Sequence, residues 1–263
     1  MKNVLLVVSA CVTAFVALVG FQKLEHPLQF SQFTTQHLVD TTQQKPDSLP
    51  QWQRVYQSLR LKEAGLSLEG FRYAWAGFQK EKFTKSILAI ADFSQSSRHK
   101  RLYVIDLKEN KLLYNTYVAH GRNSGEEFAR QFSNKNSSYQ SSLGFYRALS
   151  TYHGKHGLSL KLQGLEENIN HRALERAIVM HGADYVSEEF IRRTGRLGRS
   201  QGCPAVSVDD TKKLIPLLCN GAGLFLYYPD NSYLKNSKLL AGLDEETQTD
   251  FRSQPYTSLK NTN

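Results

Sequence analysis

Two segments of this 263-residue sequence carry residues whose types and spacing could do covalent chemistry. The first is Gly198-Arg199-Ser200-Gln201-Gly202-Cys203-Pro204-Ala205. A nucleophilic cysteine needs thiolate character, a neighbouring base, and N–H groups aimed at a developing oxyanion. Gly202 lets a substrate approach the main chain closely, Pro204 stiffens the chain just beyond the cysteine, and Arg199 brings positive charge that favours a thiolate. The second is Arg176-Ala177-Ile178-Val179-Met180-His181-Gly182, a strand-like apolar run that stops abruptly at His-Gly. A histidine at a strand end, followed by glycine, is placed to face a cleft and act as general base. Each segment alone has a plainer reading, a structural turn at Gly-Cys-Pro and a core-edge histidine at His181. The pairing of the two, some twenty residues apart, favours chemistry.

The cysteine count bears on the same question. Only Cys11, Cys203 and Cys219 occur. Two cysteines beyond the N-terminal segment of an exported protein ordinarily suggest one disulfide. Cys219 instead falls on the apolar pattern of a helix and reads as a small buried hydrophobe, whereas Cys203 sits in a glycine-flanked loop.

The remaining histidines invite weaker readings. His120, His153 and His156 lie beside glycines, and His153-x-x-His156 has the spacing of a metal pair. Zinc needs three or four convergent ligands, and no carboxylate or thiolate partner is close in sequence, so no metal or other cofactor is expected. Contact with substrate from His120, His153 or Arg199 is the alternative. The glycine-rich loops lack a phosphate-cradling or dinucleotide pattern. The formal charge of +9 suits an anionic environment, but the cations are scattered and no nucleic-acid-binding motif appears, so nucleic acid is not an expected partner.

Positioning these residues requires a framework. Residues 1–22 begin with Lys2 and continue as an uncharged apolar run from Val4 to Gly20, which predicts a signal peptide or membrane anchor and an exported protein. Residues 23–50 are polar and read as a linker. Trp52, Val55, Tyr56 and Leu59 recur at helical spacing over 51–64, and Ser67 caps a second helix through Phe71, Ala74, Trp75 and Phe78. Strands are expected at 87–93, 101–107 and 111–118, the last two joined by a hairpin at Lys108-Glu109-Asn110, and further at 144–152, 158–163, 176–181 and 223–228. A helix falls within Val206–Gly221, opened by Ser207 or Asp209. The tail from about Asp230 is polar and is expected to add little to the core. The fold class is therefore mainly β with helical additions (α+β), with a domain at 51–229 and a C-terminal tail at 230–263.

The chain resembles a known family at these residues. His181-Gly182 followed by Ser200-x-Gly202-Cys203 is similar to the signature of the YkuD-type L,D-transpeptidases. Asp92-Phe93-Ser94, Val118-Ala119-His120-Gly121, Ser141-Ser142-Leu143-Gly144-Phe145-Tyr146 and Gly154-Lys155-His156-Gly157 extend the likeness to the murein L,D-transpeptidase catalytic-domain branch over roughly 65–230. The resemblance implies a β-sandwich or barrel core preceded by two helices, and peptidoglycan stem peptides as partner in the cell envelope. It implies Cys203 as the acyl-accepting nucleophile and His181 as its base, with Gly202 and Cys203 N–H groups forming an oxyanion hole and Ser200 and Gly182 shaping the loop. Family members cut before a D-Ala through a thioester and pass the acyl group to an amine. Two departures stand out: Gln201 replaces the usual His, and Ala205 replaces an Arg. They leave open cross-linking, carboxypeptidase trimming or hydrolysis, and a binding protein that keeps the fold without the chemistry.

Overall fold

The computed structural model describes residues 49–243. The apolar leader, most of the linker and the end of the tail lie outside the described residues. Helix α1 (Gln51–Ser58) stops short of the expected Gly65, because 59–65 fold as turns that bury Leu61 beneath the helix pair. Helix α2 (Leu68–Lys80) starts where its cap predicts: Ser67 Oγ accepts the Gly70 N–H at 3.2 Å, and Glu69 faces the positive end of the helix. A glycine holds position 70 because a Cβ there would stand 2.5 Å from Ser67 Oγ and 2.9 Å from Tyr227.

Eight strands follow: β1 (Ile87–Asp92), β2 (Leu102–Asp106), β3 (Lys111–Thr116), β4 (Gly144–Gly154), β5 (Gly157–Gly164), β6 (Val179–Gly182), β7 (Ala205–Val206) and β8 (Gly223–Tyr227). They form one mixed sheet in the order β3-β2-β1-β8-β4-β5-β6-β7, parallel only at β1/β8 and β6/β7. The sheet curls almost into a barrel. Beyond β3 the chain reaches β7, where Ala119 N–H donates to Ala205 O at 2.8 Å and Gly121 bridges to Ser200. Three more helices complete the domain, α3 (Glu188–Thr194), α4 (Val208–Leu218, capped by Ser207) and α5 (Asn231–Asn236).

Strand parity divides the core. Ala89, Ala91, Val104, Leu224 and Leu226 point into the barrel, where Leu214, Ile215 and Leu218 of α4 cover them. Their neighbours Leu88, Ile90, Tyr103, Ile105 and Phe225 point outward onto Tyr56, Phe71 and Ala74 of the first two helices. Both faces of β1 are thus buried, which is why it reads as a continuous apolar run rather than an alternating one.

Two expectations change. The strand predicted at 176–181 begins only at Val179, since 165–178 is a series of turns with Ala177 at φ +53°. The asparagine in those turns explains it: Asn170 Nδ2 donates to Leu143 O and Phe145 O, pinning the segment to β4 instead of extending it. The tail also contributes to the core. Tyr233 and Leu240 are buried in the outer cluster, and Tyr233 and Ser237 donate to the buried carboxylate of Glu166. The packed domain therefore runs past 229 to the last described residues.

Candidate active site

The parallel pairing of β6 with β7 brings the two chemical segments together. His181 lies opposite Ala205, so Cys203 falls level with Val179. Accordingly the Val179 N–H points at Cys203 Sγ at 3.5 Å, and the thiol lies 3.8 Å from Ala177 O. Cys203 and His181 are diagonal neighbours on adjacent segments of the sheet edge, offset by two residues or about 7 Å along the strand. Both line one cavity of about 600 Å³. A larger cavity, of about 720 Å³, lies between Phe132, Glu166 and Tyr233 and contains neither residue.

The environment of each group is now explicit. His181 is buried, and its Nδ1 lies 2.9 Å from Gly182 O. Assigned from that contact, Nδ1 carries the proton and Nε2 is the basic nitrogen. Burial pushes the imidazole below its ordinary 6.5, the Gly182 carbonyl opposes this, and the charges of His156 and Lys155 push the same way as burial. The ring of His156 stacks on that of His181 with centroids 4.4 Å apart. Burial raises the half-buried Cys203 thiol above 9.0, partly offset by the Val179 N–H, Arg176 and Lys155. Burial thus acts on both groups in the same sense, disfavouring the charged form of each.

The loop before Cys203 is held by Ser200. Its Oγ accepts the Gly202 N–H at 3.0 Å and donates to Cys203 O at 2.6 Å. Gly202 has φ +123°, and a Cβ there would stand 2.8 Å from Gln140 O. Because its N–H is committed to Ser200, Gly202 is not the free oxyanion donor expected beside Cys203; the Cys203 N–H remains. Gly182 serves packing rather than the loop, since a Cβ on it would stand 3.1 Å from both Val208 Cα and Thr211 Cγ2 of α4. Ala205 is fully buried in a small cluster with Ala119, Ala183 and Leu197, so a large charged side chain at this position would have to displace the cluster.

Of the three expected substrate contacts, Arg199 lines the cavity and His120 and His153 do not. His120 is fully buried, with Nδ1 2.7 Å from Arg101 Nη2 and Nε2 3.2 Å from Gly125 O; burial first, then Arg101, lowers its value to about 3. It positions the motif instead, its carbonyl accepting the Ser200 N–H at 2.9 Å. His153 is exposed on β4 and does not line the cavity, because strand alternation turns Tyr152 inward; His156, at the tip of the β4–β5 turn, lines it. Arg199 borders the cavity but binds Glu126 at 2.7 Å and two backbone carbonyls, and the cations that act on Cys203 are Arg176 and Lys155.

Arg176 escaped the sequence reading because it opened an apparent strand. It lines the cavity, donating to Ser133 O at 2.8 Å, Gln140 O at 2.7 Å, Ser138 Oγ at 3.2 Å and Ser142 Oγ. Cys203 and Cys219 are both free thiols, so the disulfide alternative does not hold in this structure; Cys219 ends α4, its thiol 3.4 Å from Pro216 O. Among the described residues no group of three or more His, Cys, Asp or Glu side chains could hold a metal.

A family model described as the L,D-transpeptidase catalytic domain matches residues 62–227. Among solved structures the chain is similar to an L,D-transpeptidase from Stackebrandtia nassauensis (16% identity over 68% of this chain and 77% of that one, TM-score 0.35). It is also similar to an L,D-transpeptidase from Mycobacterium smegmatis, at 12% identity over 54% of this chain, with a TM-score of 0.35. A third is the helical cell shape determining protein Pgp2 from Campylobacter jejuni, at 10% identity over 60% of this chain and 56% of that one, TM-score 0.35. The match spans 59% of the Mycobacterium smegmatis chain. No curated protein matches. The family match takes in both segments that meet at the cavity, β6 with His181 and the loop of Cys203, and the chain belongs to the L,D-transpeptidase catalytic-domain family.

Proposed function

We propose that this protein is an exported peptidoglycan L,D-transpeptidase that works through a thioester on Cys203. The observation that carries the reading is the meeting of Cys203 with His181 in one cavity, with Nδ1 of the histidine committed to Gly182 O. That commitment leaves Nε2 to take the thiol proton as Sγ attacks the scissile carbonyl. The S–C bond forms, the Cys203 N–H stabilises the oxyanion, and collapse breaks the C–N bond while His181 returns the proton to the departing D-Ala amine. An acceptor amine then attacks the thioester, gives its proton to the same nitrogen, and the thiol leaves. Neither step needs a metal or organic cofactor.

The stem peptide as substrate, D-Ala as leaving group and the envelope as location come from the family, and the basic chain suits an anionic wall. Anchorage through residues 1–22 belongs to the same reading. Among the described residues no helix is long and apolar enough to cross a membrane.

Mass spectrometry after incubation with a carbapenem or a tetrapeptide stem tests it. An acyl adduct on the Cys203 peptide, lost in His181→Ala, is expected. A folded wild-type chain that forms no adduct overturns the catalytic reading and leaves a wall-binding role.

A further inference from the structure

The cavity around Cys203 is lined by four cationic side chains and no carboxylate. Three of the four are occupied. Arg176 makes the four hydrogen bonds described above, and Arg199 is paired with Glu126. Arg122 lies 4.0 Å over the ring of Tyr139. The fourth, Lys155, makes no hydrogen bond or ion pair among the described residues. It occupies the two-residue turn between Gly154 and Gly157, next to the His156 that stacks on His181, and its charge acts on both Cys203 and His181.

We propose that Lys155 is a specificity-determining residue that pairs with a carboxylate of the donor peptide. The inference rests on the reading of this cavity as the donor site. An ammonium on a mobile four-carbon stem is a point charge that can meet a carboxylate without fixed bidentate geometry. Placed in a cavity free of competing acids, it gains a charge-assisted bond on substrate binding that it lacks at rest. Two carboxylates of a stem peptide could supply the partner, the C-terminal one of the leaving residue or the side-chain one of the residue before it.

The test measures binding without turnover, by calorimetry on the full chain carrying Cys203→Ala. The titrants are a tetrapeptide stem with both carboxylates free, its C-terminal carboxamide, and its side-chain carboxamide. One carboxamide is expected to bind roughly tenfold weaker than the acid or worse, and the identity of that carboxamide names the carboxylate. Adding Lys155→Met should weaken the acid to the level of that amide and abolish the difference, and Lys155→Arg should restore most of it. A ratio of acid to amide affinity unchanged by Lys155→Met overturns the proposal, as does equal binding of all three peptides. Because no thioester forms in this background, these outcomes are separate from the adduct test of catalysis.

Discussion

Ser200 Oγ stands 2.6 Å from the carbonyl oxygen of Cys203 and donates to it, while accepting the N–H of Gly202. One hydroxyl thus closes the loop on both sides of the Gly202–Cys203 peptide. The loop is anchored in turn to the core, because the Ser200 N–H donates to the carbonyl of His120 and the ring of His120 meets the fully buried Arg101. The orientation of Cys203 therefore depends on the hydroxyl of Ser200.

Ser200→Ala should accordingly slow acylation of Cys203 roughly tenfold to a hundredfold, through misorientation of the loop. Two hydrogen bonds are lost, each worth about 0.5–1.5 kcal/mol, so the unfolding temperature should fall by a few degrees while the chain stays folded at 25 °C. Ser200→Thr keeps the hydroxyl and should recover most of the rate. Stopped-flow acylation by a carbapenem, with thermal unfolding alongside, checks both. Equal rates in wild type and Ser200→Ala would remove the loop-closing role.

The resting pair sets a pH signature. Burial holds the Cys203 thiol above 9.0 and holds His181 below 6.5. Alkylation by iodoacetamide follows the thiolate, so its rate should rise with a midpoint above 9. Acylation by a specific acyl donor needs only an unprotonated His181, so its acid limb should lie below pH 6.5. Parallel pH–rate profiles for the two reagents make the comparison. An alkylation midpoint near neutrality would show a thiolate–imidazolium pair instead.

His120 links stability to acid. Burial first, then Arg101, lowers its folded value to about 3, against an unfolded value near 6.5. Between those values the unfolded chain binds the proton and the folded chain does not. The contribution is therefore fully present above pH 6.5 and is lost as pH falls toward 3, by about 1.4 kcal/mol per unit. His120→Gln can still accept from Arg101, and should flatten this acid limb. Urea unfolding at a series of pH values reads the slope. An unchanged slope in the variant assigns the limb to other groups.

The local elements were legible because their causes are local. The Ser67 cap, the hairpin at 108–110, the apolar run of β2 and the Ser207 cap all lie within a few residues of what they control. His181 and Cys203 stood out for a different reason: a cysteine and a histidine in glycine-bounded settings are residue types that can serve as nucleophile and base, and the fold lines one cavity with both. The helix at 231–236 has a local signal, the Asp230 side chain that caps it by accepting the Tyr233 N–H at 2.7 Å, but the burial of Tyr233 has none in the tail. That burial rests on the carboxylate of Glu166, more than sixty residues earlier, which accepts the hydroxyls of Tyr233 and Ser237.

By itself, then, the sequence determined the types of group available for chemistry and most of the strands and helices that carry them. Only the tertiary structure decided which charges those groups feel and which side chains are free. His120 and Arg199 looked available in the chain and are spent on Arg101 and Glu126, while Arg176 and Lys155, to which the sequence assigned no role, act on the thiol. The physical reason is that a side chain's direction, burial and partners depend on which strand pairs with which. The closure of Ala119 onto Ala205 brings distant segments to one cavity, and no spacing along the chain encodes that distance.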